Sequence, residues 1–451
     1  MDASTKFTYA QQQLREFAQS VLDHARRAGA SACECDVSEG YGLSVSVRKG
    51  EVDTIENNRD KGIGVTVYLG DRPKARRGHA STSDFSPAAI AQTVDAALAI
   101  ARHTAEDDCA GPPEAAELAR DLPDLDLCHP WDIRAEEAIA LAKRTERAAF
   151  ALSPKLKNSE GAGVSAQHYQ FAFANSLGFM GGFASTRHSL HCVMIAEDKG
   201  LMQRDDWYST SRVPGSLADP EALGRYAGER ALARLGARKI ATCQVPVLFE
   251  APLAAALVGT FVSAVSGGNL YRKSSFLLDS LGKPVFSPNV TIEERPHEKR
   301  GLASSAFDDE GVATRARDVV RDGVLQGYFL GSYSARKLGM KTTGSAGGSQ
   351  NLVVHSDGPD FRGMLKKMGR GLLVTELLGH GVNLITGDYS RGAAGYWVEG
   401  GEIAYPVEEI TIAGNLRDMF RGIVAIGSDT IVRGSRTCGS ILVDRMTIAG
   451  N

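Results

Sequence analysis

The alternation of apolar and polar positions changes period within the first seventy residues. Residues 9–30 form a long amphipathic segment with helical spacing, which predicts an opening helix. A period of two follows, because apolar and polar side chains alternate over residues 43–47 and again over residues 63–69. The pair Lys49 and Gly50 lies between these segments and predicts a turn. The pattern indicates antiparallel strands with one buried face.

A helix, an aperiodic stretch and a second helix are predicted next. Ser86 followed by Pro87 is a strong helix start, because the hydroxyl can cap the helix and proline suits its first position. That helix is expected to run to about Thr104. Residues 105–131 are acidic, proline-punctuated and without periodicity, which indicates a linker. An apolar stripe with helical spacing then predicts a helix over residues 134–152.

The rest of the chain mixes strands and helices and becomes rich in glycine. Further elements are predicted as strands at 169–173, 183–197 and 245–249, a helix from Asp219 to before Gly236, and a buried helix after residue 249. This order favours an α+β fold with mixed or antiparallel sheets, in which an N-terminal α/β region precedes a larger, glycine-rich and β-rich C-terminal domain. The predicted domains are residues 1–108, 109–240 (with the linker at 105–131) and 241–451.

Composition excludes some classes of function. The 451 residues include 51 Lys and Arg against 54 Asp and Glu, so the chain lacks the basic face that a nucleic-acid binder needs. The longest uncharged stretch, residues 251–271, is diluted by Gly, Ser, Thr and Asn, so no membrane span is predicted. The polar opening segment does not resemble a signal peptide. Seven cysteines without a CxxC pair favour a reducing cytoplasm.

Candidate chemical groups are few when they are considered one at a time. His188 and His191 lie in a predicted strand, where odd spacing places them on opposite faces, so they do not predict a zinc site. Ser334 and Lys337 have the S-x-x-K spacing in which a lysine activates a serine nucleophile. Cys438 is a lone cysteine, and such residues are mostly inert and buried. These groups alone name no function.

Several longer phrases of the chain are distinctive: YRKSSFLLDSLGK at 271–283, SYSARKLG at 332–339, ITGDYSRGAAGYWVE at 385–399, EITIAGNL at 409–416, GIGVTVY at 62–68 and SDFSP at 83–87. Together they resemble the PmbA (TldE) branch of the TldD/PmbA metallopeptidase family, also known as modulators of DNA gyrase. The resemblance covers essentially the whole chain. It implies one half of a hollow heterodimer whose TldD-type subunit binds zinc through an HExxxH motif and a distant cysteine.

The resemblance also indicates where that zinc motif would fall in this chain. Its first histidine corresponds to Gly259, its glutamate to Thr260 and its second histidine to Ala264, and only the cysteine survives, as Cys438. One thiolate cannot replace the three protein ligands of a zinc site. No metal and no catalytic residue are therefore expected in this chain, and zinc is expected in the TldD-type partner.

The resulting hypothesis is a cytoplasmic, non-catalytic peptidase subunit. It would form a heterodimer with a TldD-type subunit, bind peptides or unfolded and modified proteins at residues not identified, and form a homodimer when alone. Two alternatives remain open. One is a metal-independent hydrolase that uses Ser334 with Lys337, or Cys438. The other is an adaptor that modulates gyrase or a toxin–antitoxin system through protein contacts.

Overall fold

A computed structural model describes residues 6–450, so part of the polar opening segment lies outside the described residues. The helices are α1 (Gln11–Arg27), α2 (Pro87–His103), α3 (Ala135–Phe150), α4 (Pro220–Ala233), α5 (Ala251–Ala264), α6 (Gly267–Tyr271), α7 (Ser332–Lys337), α8 (Phe361–Met368) and α9 (Leu416–Arg421). The first strands are β1 (Ala32–Arg48), β2 (Glu51–Leu69), β3 (Arg76–Thr82), β4 (Leu156–Asn175), β5 (Met180–Gly181), β6 (Ala184–Asp198) and β7 (Leu201–Ser211).

The remaining strands belong to the C-terminal half. They are β8 (Cys243–Phe249), β9 (Ile292–Glu294), β10 (Arg317–Arg321), β11 (Val324–Leu325), β12 (Leu352–Val354), β13 (Gly371–Leu378), β14 (Asp388–Glu399), β15 (Glu402–Asn415), β16 (Ile423–Ile426), β17 (Ile431–Arg433), β18 (Arg436–Cys438) and β19 (Ile441–Ala449). No helix among residues 6–450 combines the length and the apolar character that crossing a membrane requires.

The first seven strands form one antiparallel sheet in the order β3-β2-β1-β4-β6-β7, with β5 paired to β4. The long strand β1 pairs with β2 on one side and β4 on the other. Cys35 and Val37 of β1 pack with α1 and α2, whereas Val45 and Val47 of the same strand pack with α3 and α4. Two apolar clusters therefore share one continuous sheet.

Two six-stranded sheets form the C-terminal half, in the orders β11-β10-β9-β12-β18-β17 and β15-β14-β13-β8-β19-β16. Most pairs are antiparallel, but β12–β18 and β13–β8 are parallel. Helix α5 contacts strands of both sheets, and Phe261 on this helix packs on Phe286 and Phe420 in the core between them. The mixed sheets confirm the α+β prediction.

Residues 105–131, which the sequence predicts as a linker, contain a short 3₁₀ turn at Ala115–Glu117, two isolated β-bridges and no longer helix or strand. The segment is nevertheless anchored to the C-terminal half. The Arg336 guanidinium donates to the carbonyl oxygens of Cys109, Gly111 and Pro112. Three backbone acceptors on one arginine hold the segment in a single position.

Two histidines are buried on the neighbouring strands β4 and β6. The His168 ring stacks on Tyr41 with centroids 4.3 Å apart, and its Nε2 accepts a hydrogen bond from the Trp131 backbone N–H at 3.1 Å. His188 is fully buried, and the two imidazole rings are 5.6 Å apart. Burial, reinforced by His188, lowers the pKa of His168 to about 4.

The wild-type chain is therefore expected to lose stability in acid partly through His168. The unfolded chain binds this proton from about pH 6.5 downward and the folded chain only near pH 4, so stability is lost as pH falls between these values. We expect a loss of about 2 kcal/mol from this residue between pH 7.5 and pH 5. Urea unfolding at both values should show a smaller drop for His168→Gln. The exposed His103→Gln serves as the control, and equal drops in both variants would refute the assignment.

Candidate functional site

Helix α5 presents its apolar side to the core and a row of small residues to the outside. The helix begins after Glu250 with a proline in its first turn, and its core side includes Leu257, Phe261 and Ala264. The opposite side carries Ala256, Gly259, Thr260 and Ser263, which are exposed or half-buried. Two positions that the resemblance assigns to the zinc motif, Gly259 and Thr260, therefore face outward, whereas Ala264 is fully buried.

The hairpin of β17 and β18 packs against this helix. The strand β18 carries Arg436 and Cys438, and residues two apart in a strand point to the same face. The Arg436 guanidinium lies directly on Gly259. A β-carbon at Gly259 would be 2.9 Å from its Cζ and 3.0 Å from each terminal nitrogen. Only glycine admits this contact without displacing the arginine.

Cys438 is buried completely and is protonated. Its Sγ donates to the Gly439 carbonyl oxygen at 3.2 Å. Burial raises the pKa of its thiol, and the charge of Asp429 raises it further. Because both nucleophilic attack and zinc ligation need the thiolate, this environment suits a core residue better than a reactive group.

The residues at the zinc-motif positions do not fit a zinc ion. Gly259 and Ala264 have no ligand atom, and the Thr260 hydroxyl is directed at the Ala256 carbonyl oxygen at 3.4 Å. The Arg436 guanidinium adds a permanent positive charge beside them. Tetrahedral zinc needs about three protein ligands, and Cys438 offers one, in its protonated form.

A second cluster has ligand-type groups but already contains a cation. Within residues 6–450, Asp107, Asp108 and Cys109 are the one group of three whose ligand atoms converge. The Lys337 ammonium donates to Asp107 at 2.9 Å and to Asp108 at 3.0 Å. The lysine pairs with both carboxylates, so the arrangement is an ion-pair network that joins α7 to residues 107–108.

The predicted serine–lysine pair is not assembled. The Ser334 hydroxyl donates to the Gly331 carbonyl oxygen at 3.1 Å, and no hydrogen bond joins it to Lys337 in the described part of the chain. Hydrogen bonds to Asp107 and Asp108 raise the pKa of Lys337, which keeps it protonated. A protonated lysine cannot act as the base that S-x-x-K chemistry requires.

Replacement of Lys337 by methionine is expected to loosen residues 105–113 while leaving any peptidase activity of the assembled enzyme unchanged. The change removes the cation between Asp107 and Asp108, whereas the apolar stem of the side chain is kept. Limited proteolysis should cleave the variant faster in this segment. Lys341→Met, a neighbouring change without an ion pair in the described residues, is the control. Loss of activity with intact proteolytic resistance would instead support a catalytic lysine.

A cavity of about 670 Å³ lies between the first sheet and the C-terminal half. Its lining includes Glu34 and Asp36 from β1, Asp309 and Glu310 from a C-terminal loop, and Arg77 from β3. Burial first, and then the charge of Glu310, raises the pKa of Glu34 to about 7. Sequence reasoning missed this cavity because its walls come from segments that no local pattern connects.

The comparisons with known proteins agree with the resemblance. Profiles of PmbA/TldA metallopeptidase domain 1, central domain and C-terminal domain match residues 33–101, 128–235 and 242–450. The chain is 49% identical to Metalloprotease PmbA of Escherichia coli O157:H7 over 98% of its own length and 97% of that protein. This chain belongs to the PmbA/TldD metallopeptidase family.

Two solved structures have the same fold. A modulator of DNA gyrase from Bacteroides thetaiotaomicron superposes with a TM-score of 0.91 at 25% identity, covering 97% of this chain and 99% of that one. TldE from Thermococcus kodakarensis superposes with a TM-score of 0.84 at 18% identity, covering 96% of this chain and 100% of that one. At this identity the similarity shows a shared fold and nothing more.

Sequence reasoning also missed Arg436, which the family resemblance does not single out. The one available signal was its position two residues before Cys438 in a short strand, since this spacing directs both side chains to one face. Its contact with Gly259 depends on the packing of β18 on α5, and no periodicity in the sequence reports that packing.

Proposed function

We propose that this chain is the non-catalytic subunit of a two-component zinc peptidase, with the metal and the catalytic glutamate supplied by a TldD-type partner. The contact between Arg436 and Gly259 carries the proposal. At the place assigned to the first histidine ligand, the chain has a glycine covered by a permanent cation. Coulomb repulsion would oppose the binding of a divalent metal ion there.

The chain would complete a chamber shared with its partner and bind extended peptide inside it. A subunit of this kind exposes a large interface when alone, so a homodimer is expected in the absence of the partner. All seven cysteines are free thiols, which supports a reducing cytoplasm as its location. The substrates would be peptides or unfolded and modified proteins.

Reconstitution tests the proposal. The purified chain, a TldD-type partner and their mixture are compared for zinc content, for cleavage of unstructured peptides and for size in solution. We expect zinc only in the partner, a heterodimer in the mixture, and cleavage that a chelator abolishes. A mixture in which the partner's motif glutamate is changed to glutamine is the matched control and should be inactive.

Two results would contradict the proposal. Chelator-sensitive cleavage and stoichiometric zinc in the isolated chain would make it a metallopeptidase by itself. Failure of a TldD-type subunit to associate, together with capture of other defined proteins and no cleavage by the mixture, would favour the adaptor alternative.

A further inference from the structure

Arg436 is one of three half-buried arginines in the described chain, with Arg15 and Arg433, whose side chains have no hydrogen-bond acceptor. Arg212 donates to three backbone carbonyl oxygens, Arg230 donates to two carboxylates, and Arg317 donates to Glu294 and to a carbonyl oxygen. Within residues 6–450, Arg436 donates no hydrogen bond, and its Nε is enclosed without a partner. Its two terminal nitrogens also have no acceptor in the described chain, and unpaired guanidinium donors in a half-buried site are unfavourable.

No carboxylate in the described chain compensates the charge of Arg436. Burial lowers its pKa, and no acidic side chain lies near enough to oppose this effect. The neighbouring Arg433 points elsewhere, because its guanidinium lies 4.5 Å from the ring centroid of Trp207 and 4.1 Å from that of Tyr208. Arg436 is thus a single, half-buried cation without a counterion.

The terminal nitrogens of Arg436 can be approached from outside. Of its nitrogens only Nε is enclosed, and the guanidinium lies against Gly259, on the side of α5 that also carries Thr260 and Ser263. A planar guanidinium with two free terminal nitrogens matches the two oxygens of a carboxylate and binds it through two parallel hydrogen bonds. Partial burial strengthens such a pair relative to bulk water.

We propose that Arg436, held on Gly259, binds a carboxylate group of an extended peptide. The inference rests on the proposed function, since it names a group by which the non-catalytic subunit would hold peptide. The carboxylate is either the C-terminus of the peptide or an acidic side chain within it. Both sources present the same carboxylate group to the guanidinium, and the experiment below distinguishes them.

The neighbouring strand favours a peptide as the ligand. β17 is the edge strand of its sheet and pairs only with β18 in the described chain, so its outer backbone groups are unpaired. Val432 on this strand is 52% exposed. An extended peptide can add to such an edge through backbone hydrogen bonds, while a charged group nearby fixes its register.

Binding of four N-acetylated alanine pentapeptides, measured by calorimetry, tests the proposal, with the isolated chain and with its complex with a TldD-type subunit carrying an inactivated motif glutamate. One peptide has a free C-terminal carboxylate and one has a C-terminal amide. Two further amides carry a central glutamate or glutamine. We expect at least one carboxylate peptide to bind about tenfold more tightly than its neutral counterpart. Arg436→Gln should abolish this preference.

Three variants strengthen the test. Arg436→Lys keeps the charge but loses the planar fork, so it should retain only part of the preference. Gly259→Ala keeps Arg436 in the sequence, but the added β-carbon displaces its guanidinium. The variant should fold and show a several-fold smaller preference for the carboxylate peptide. Arg362→Gln, which removes an exposed charge on α8, is the matched control and should keep the full preference.

The outcomes separate the sources and the two proposals. Preference for the free C-terminus, or for glutamate over glutamine, supports the inference and identifies the source. Equal affinities, no measurable binding, a preference that survives Arg436→Gln, or a variant that only weakens subunit assembly overturns it. These results leave the proposed function untouched, because that function is judged from zinc content and cleavage in the reconstituted enzyme.

Discussion

Replacement of Arg230 by methionine is expected to lower the free energy of unfolding by about 3–5 kcal/mol, because it leaves the buried Glu250 without its cation and leaves Asp205 only the more distant Arg234, at 3.7 Å. Arg230 on α4 donates to both oxygens of Glu250, at 2.6 and 3.1 Å, and its Nε donates to Asp205 on β7 at 3.0 Å. All three side chains are at most 13% exposed. The network connects the first sheet, the helix on it and the start of α5, so its loss affects three elements together.

Urea unfolding of the wild type and the variant measures this effect. Arg225→Met on the same helix is the matched control, because Arg225 forms a surface pair with Glu221 and should change the stability by about 0.5 kcal/mol or less. Adding Glu250→Gln to Arg230→Met should recover part of the loss, since one uncompensated charge is removed. Equal effects of the Arg230 and Arg225 changes would mean that the buried network does not stabilise the fold.

Local elements were predictable because their signals are local. The amphipathic spacing of residues 9–30 and 134–152 corresponds to α1 and α3, which are shorter by a few residues at their ends. Ser86 caps α2 by accepting a hydrogen bond from the Ala89 N–H, as its position before Pro87 predicts. Period-two alternation identified β1 and β2, although not their full lengths of 17 and 19 residues.

The arrangement of these elements was not predictable from the same patterns. β1 lies between β2, its neighbour in sequence, and β4, which follows more than a hundred residues later. The alternation of Val45 and Val47 shows that one face is buried but not which helices cover it, and these are α3 and α4 rather than α1, which is nearer in sequence. Pairing across such sequence distances depends on tertiary packing, which leaves no periodic signal.

The candidate site also has one part that the sequence predicts and one part that it does not. The absence of ligand atoms at Gly259 and Ala264 could be read directly once the resemblance had placed the motif. The positive charge beside Gly259 could not be predicted from the sequence, because Arg436 contacts Gly259 only where the β17–β18 hairpin packs on α5. The ammonium of Lys337 likewise points away from Ser334 toward Asp107, which no spacing rule reveals.

Restoring the zinc motif by Gly259→His, Thr260→Glu and Ala264→His is expected to destabilise the chain by more than about 3 kcal/mol without creating a zinc site. Ala264 is fully buried, and its carbonyl oxygen accepts from the Ser275 hydroxyl at 2.5 Å. An imidazole there overfills the core and buries a polar ring. At Gly259 a histidine meets the Arg436 guanidinium, which must leave before a metal ion could enter.

Single variants, the triple variant and the triple variant with Arg436→Ala are compared by zinc content and urea unfolding. Thr260→Glu, at a half-buried outer position, should change the stability by about 0.5 kcal/mol or less, and Ala264→His should account for most of the loss. Stoichiometric zinc in the triple variant with Arg436 retained and stability unchanged would refute the prediction. If zinc binds only after Arg436 is removed, the guanidinium is the group that excludes the metal. The arginine and the missing ligands would then act together to keep this position free of zinc.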